Sequence, residues 1–165
     1  MRPAILFLDT NILLDCPSSE DYRLPGRQVT VVVIPEVMRE LRGLARARDR
    51  GRTGPALQAL ATLEPLGQRR GSAVGVPLGR SGTTLRLLPD APVDTVTTDR
   101  QLVLRAKAEQ TRRPGTLVAV VTKDWGVAEL ARGERVKSIL IRGTANSSEL
   151  ERGIVEHDSM LDIDL

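Results

Sequence analysis

AILFLDTN, residues 4–11, is a run of five apolar side chains broken at once by an acid, an alcohol and an amide. A continuous apolar run of this length, without polar alternation, fits a strand buried on both faces of a parallel sheet. LVAVVTKD, residues 117–124, repeats the arrangement, with five apolar residues followed by Thr122, Lys123 and Asp124. Val29–Ile34 is a third such run, rich in β-branched residues and stopped by Pro35. In an open parallel sheet, ligands gather where strands give way to loops and helix N-termini. Asp9 and Asp124 are therefore expected at one edge of the sheet.

Working outward, Pro35 suits the first turn of a helix. The helix is expected to run to about Arg48, with Val37, Leu41 and Leu44 at helical spacing and Glu40 one turn inside. Pro55 opens a second helix to about Leu66. Residues 67–92 are rich in Gly, Pro, Ser and Arg and read as irregular, with one short strand, Thr84–Leu88, at a sheet edge. Thr98 is expected to cap a helix reaching about Gln110, which places Asp99 at its start. Asp124 begins or caps a short helix to Arg132, Val136–Ile141 supplies a last strand, and Ser148–Glu156 a short helix. Strands alternating with helices predict a three-layer α/β/α sandwich with a mostly parallel four- or five-stranded sheet. Residues 1–145 form one domain in this reading, and 146–165 an acidic C-terminal tail or linker.

The length of 165 residues suits a single core, and with only 2% aromatics that core must be built from Val, Leu, Ile and Ala. Lys plus Arg exceed Asp plus Glu by 24 to 21, a small excess with an uneven distribution. Arg39, Arg42, Arg46, Arg48, Arg50 and Arg52 crowd one stretch, followed by Arg69, Arg70, Arg80 and Arg86. Such a stretch is either a solvated helix face or a surface for a phosphate backbone, which planar guanidinium groups bind in bidentate fashion. The lone Cys16 cannot form an internal disulfide, and clustered Cys or His for zinc are absent from the sequence. The apolar run at residues 4–8 is too short for a signal peptide or a membrane span. A cytoplasmic protein with no membrane association is expected. The sequence contains no phosphate-binding Gly-rich loop of the nucleotide-hydrolase type, so any ATPase would be another domain or protein.

Asp9, Asp99, Asp124 and Glu40 would repel one another if they met in one cleft, and each would take up protons more readily. A divalent cation resolves that conflict. Mg²⁺ and Mn²⁺ accept oxygen ligands and keep open positions for a phosphate oxygen and a water. Asp94 competes with Asp99 for the third position. Glu36 suits the dipole of its helix and also lies within reach as an outer ligand. Arg100 and Lys123 adjoin the acids, where each either holds a phosphate or pairs with a carboxylate. Trp125 either stacks on a base or, as its position at a helix start favours, packs. His157 reads as a surface residue.

LDTNILL at 8–14, IPEVMREL at 34–41, TDRQL at 98–102 and VTKD at 121–124 resemble, in order and spacing, the acidic blocks of PIN-domain nucleases. The likeness covers about residues 4–142 and is greatest to the PIN module that precedes the ATPase of PhoH-like proteins. It implies that Asp9, Glu40, Asp99 and Asp124 form a catalytic Mg²⁺ or Mn²⁺ cluster, with Asn11 and Thr122 orienting carboxylates or waters beside it. Thr10 reads as structural. The substrate implied is single-stranded RNA, contacted by Asn11, Thr122, Arg100, Lys123 and Arg46 and cut to 5′-phosphate and 3′-hydroxyl ends. The third block departs from the family, with Asp99-Arg-Gln in place of the commoner Asp-Asn-Arg. Partners that the resemblance allows are a second copy of the chain, an antitoxin, or an ATPase domain. The alternative reading is a catalytically inactive PIN-like module that binds RNA or protein.

Overall fold

A computed structural model describes residues 2–18, 24, 27–49, 51–67, 75–78, 82–89 and 96–161. In chain order the elements are β1 (Ala4–Leu8), α1 (Thr10–Asp15), β2 (Val29–Val33), α2 (Pro35–Arg46), α3 (Thr53–Gly67), β3 (Val76–Pro77), β4 (Thr83–Leu87), α4 (Thr98–Arg112), β5 (Leu117–Thr122), α5 (Trp125–Gly133), β6 (Lys137–Leu140) and α6 (Ser147–Leu161). They form an α/β/α sandwich around a sheet ordered β3-β4-β2-β1-β5-β6. All neighbours are parallel except the β3–β4 pair.

Every residue of β1 and β5 is buried, as their unbroken apolar sequences require of strands covered on both faces. Ala4 to Leu8 pair in register with Leu117 to Val121. From β1 the chain steps outward to β2 and β4, then returns to lay β5 on the other side of β1. The strand order therefore reverses between β1 and β5, and the crevice at their carboxyl ends is where such sheets bind ligands. Helices α1, α2 and α3 pack on one another, as do α4 and α5.

Some expectations are corrected. The sheet has six strands rather than four or five, because the two-residue β3 pairs antiparallel with β4. Strand β4 consequently lies inside the edge rather than at it. Thr97, not Thr98, caps α4, its Oγ1 accepting the backbone N–H of Arg100. Helix α1 forms directly after Asp9, where the sequence reading stopped at a polar site. His157 is only partly exposed, with Nε2 2.8 Å from Ser138 O. This contact engages a carbonyl of the edge strand β6. Asp94, Arg50, Arg69, Arg70 and Arg80 lie outside the described residues.

Residues 146–161, within the expected acidic tail, contain α6. It buries Leu150 and Ile154, and at Gly153 it approaches β6 so closely that a Cβ would overlap Ile139 Cγ2. Asp158, near its far end, pairs with both Arg2 and Arg27. No helix among the described residues is long and apolar enough to cross a membrane.

Candidate metal centre

Asp9 is the first residue past β1, and its backbone N–H donates to Val121 O at 3.0 Å, which ties it to the end of β5. The side chain is 4% exposed, so its oxygens depend on protein donors. Oδ1 accepts Thr10 N at 2.8 Å, and Oδ2 accepts Thr122 Oγ1 at 2.7 Å. Thr10 Oγ1 in turn donates to Glu40 Oε2 at 2.6 Å, linking α1 to α2. Thr122 Oγ1 accepts Asp124 N at 3.0 Å, and Asp124 Oδ1 caps α5 by accepting Gly126 N at 2.7 Å. A continuous chain of hydrogen bonds therefore runs Glu40–Thr10–Asp9–Thr122–Asp124, joining the Glu40 and Asp9 carboxylates to the backbone N–H of Asp124. Helix capping and site formation are not alternatives for Asp124, since the cap engages one carboxylate oxygen and leaves the other for a different task.

Asp99 enters from the first turn of α4. With Asp9, Thr10, Asn11, Glu40, Arg52 and Asp124 it lines a cleft of about 410 Å³. Burial holds the Asp99 carboxyl above its ordinary value of 3.8, and the charges of Asp9, Glu40 and Asp124 push it the same way. Asp9 is also raised, chiefly by burial and further by Glu40 and Asp124, against the lowering effect of its bonds from Thr122 and Thr10. Asp9 and Asp99 thus both feel the charges of Glu40 and Asp124 in the cleft. Their negative potential and all-oxygen donor set fit a hard divalent cation and suit an anion poorly. The acids share the cleft without being drawn tightly together: among the described residues no three His, Cys, Asp or Glu side chains are set closely enough to hold an ion as they stand.

Of the expected substrate contacts, Asn11 lines the cleft, and Thr122 lies beneath it, fully buried. Lys123 points elsewhere, its Nζ 2.7 Å from Asp15 Oδ2. Arg100 and Arg46 are exposed and are not among the lining residues. Glu36 is buried and paired with Arg105 at 2.9 Å, away from the other acids' hydrogen-bond chain. Two residues escaped the sequence reading. Thr10, structural by its sequence context, fixes two acids at once, Asp9 through its backbone N–H and Glu40 through its hydroxyl. Among the described arginines of its crowded stretch, Arg52 is the one that lines the cleft, and nothing in its local pattern distinguishes it from its neighbours.

The sequence model of the PIN domain matches residues 6–141. A domain of a functionally unknown protein from Methanocaldococcus jannaschii DSM 2661 superimposes with a TM-score of 0.55 at 14% identity, covering 85% of this chain and 92% of that one. At that identity the likeness speaks for the fold alone. No curated protein matches this chain.

Proposed function

Because this chain belongs to the PIN-domain family, we propose that it is a metal-dependent endoribonuclease that hydrolyses phosphodiester bonds of single-stranded RNA. The observation that carries the reading is the hydrogen-bonded row of acids at the reversal of strand order, with Asp99 facing it across one cleft. Asp9, Glu40, Asp99 and Asp124 would hold Mg²⁺ or Mn²⁺. When bound, such an ion lowers the pKa of its water and offsets charge on the phosphate oxygens.

The chain's own residues supply orientation. Thr10 and Thr122 each hold Asp9 by one oxygen, which fixes the carboxylate and opposes the upward effect of burial on its pKa. Asn11 and Arg52, at the cleft wall, are placed to receive the substrate's polar atoms and phosphates. The proposed products carry 5′-phosphate and 3′-hydroxyl ends. Within the family, the acidic blocks and the arginine-rich stretch after the second one favour the PhoH-like branch. An ATPase domain, an antitoxin or a second copy of the chain is a partner consistent with that placement.

The spacing of the acids favours a second reading, a PIN module that binds RNA or protein without cutting it. A nuclease assay with Mn²⁺ against EDTA, run alongside melting curves, separates the two. The enzyme reading predicts cleavage that EDTA and Asp9→Asn abolish, with Mn²⁺ raising Tm in the wild type. A rise in Tm without cleavage would move the protein to the second reading, and neither effect would remove both metal and nuclease.

A further inference from the structure

The chain has one Trp, and it stands on the surface: Trp125 is 62% exposed. It follows Asp124 directly, so the acid cleft and the region beyond α5 meet at consecutive residues. Trp125 is also one wall of a second cavity, of about 490 Å³, between α5, β6 and α6. Arg132, Arg135, Lys137 and His157 line it as well, with Glu129 as the acid among them, its Oε1 3.6 Å from Arg132 Nη1. Cationic groups therefore prevail there, in contrast to the acid cleft.

The backbone at Arg135 adds a second observation. Helix α5 ends in a paired-bond C-cap, with Val136 N donating to Ala131 O at 2.8 Å and Arg135 N to Arg132 O at 3.0 Å. The residue after the cap takes φ 57°, a position that glycine fills without strain. Here it is an arginine whose side chain lines the cavity. Glycine would take this position without strain, and the arginine found there adds a guanidinium to the cavity wall.

The geometry points to a single-stranded RNA subsite on this face, one base stacked on Trp125 and the flanking phosphates held by Arg132 and Arg135. It rests on the ribonuclease reading for the identity of its occupant. Exposed indole and nearby cations are the two elements that bind single strands without regard to sequence, since every base has a π-face and every nucleotide a phosphate. The subsite would carry the strand on from the acid cleft rather than take part in its chemistry.

The sole Trp makes its own probe. The full chain in EDTA is titrated with a fluorescently labelled, single-stranded oligoadenylate, following both label anisotropy and indole emission. Quenching should track binding, and Trp125→Ala should weaken affinity about 5- to 100-fold, with Trp125→Phe recovering much of the loss. The Arg132→Ala/Arg135→Ala double variant should lower the slope of log affinity against log salt by roughly 0.7 for each arginine removed. RNA that saturates the anisotropy without quenching, or that does not bind, overturns the subsite. If the wild type nevertheless cuts RNA with Mn²⁺, the nuclease reading stands alone; quenching without cutting leaves the subsite and removes the nuclease. Self-association abolished by Trp125→Ala, with RNA affinity unchanged, would assign the face to a second copy and overturn the proposal.

Discussion

Replacing Thr122 by Val removes one hydroxyl from the middle of the acid row and leaves the shape of the side chain nearly unchanged. Thr122 is fully buried, and Asp9 beside it almost so, so water cannot readily take the place of the lost group. The hydroxyl donates to the Asp9 carboxylate at 2.7 Å and accepts the Asp124 N–H at 3.0 Å. A hydrogen bond to a charged group contributes about 1.5–3 kcal/mol, and a neutral one about 1 kcal/mol. The variant should therefore lose about 2–4 kcal/mol of stability at neutral pH in metal-free protein. With a urea m-value of about 2 kcal/mol/M, the unfolding midpoint falls by about 1–2 M. Thr122→Ser keeps the hydroxyl and loses one methyl, for which about 1 kcal/mol is expected. Losing a bond that lowers the Asp9 pKa drives that carboxyl further above its ordinary range, so Mn²⁺ should stabilise Thr122→Val less than the wild type. If Val and Ser variants unfold at the same urea concentration, the hydroxyl does not hold the row together and the argument from orientation is wrong.

Other perturbations address the electrostatics, the packing and the strained cap. Asp9 and Asp99 have folded pKa values above 3.8, so the stability they contribute is fully present below pH about 3.8 and is lost as pH rises through those raised values. Asp99→Asn should accordingly stabilise the metal-free protein at pH 7 and low salt, with a gain that shrinks in high salt and disappears at low pH; thermal melts across pH test this, and a loss of stability at pH 7 refutes it. Gly153→Ala sets a Cβ against Ile139 in a buried contact and should cost about 1–3 kcal/mol, measured by urea denaturation; no cost would mean that α6 is not packed on β6 as described. Arg135→Gly should raise stability by about 0.5–1 kcal/mol by relieving the positive φ, while RNA affinity falls; a parallel fall of both would deny the residue a role beyond folding.

Much of this molecule is local and could be read from the chain alone. The buried strands β1 and β5, the proline-initiated α2, and the placement of Asp9 and Asp124 just past strand ends follow from runs of apolar residues and from the geometry of helix starts. Both features act over a few neighbouring residues. The two-residue β3 could not be read in the same way, because so short a strand exists only through its pairing with β4. Nor could α1, whose six residues begin where the strand pattern ends.

Tertiary structure decided which charged groups meet. Lys123 adjoins Asp124 in sequence but pairs with Asp15 across the fold, and Glu36 finds Arg105 on α4 instead of the acid cleft. Arg52 reaches that cleft where Arg46 does not, and Trp125, at a helix start suited to packing, faces solvent. Hydrophobic periodicity is short-ranged and therefore legible along the chain. A long charged side chain has several opposite charges within reach of its flexible stem, and only the packing of whole elements selects among them.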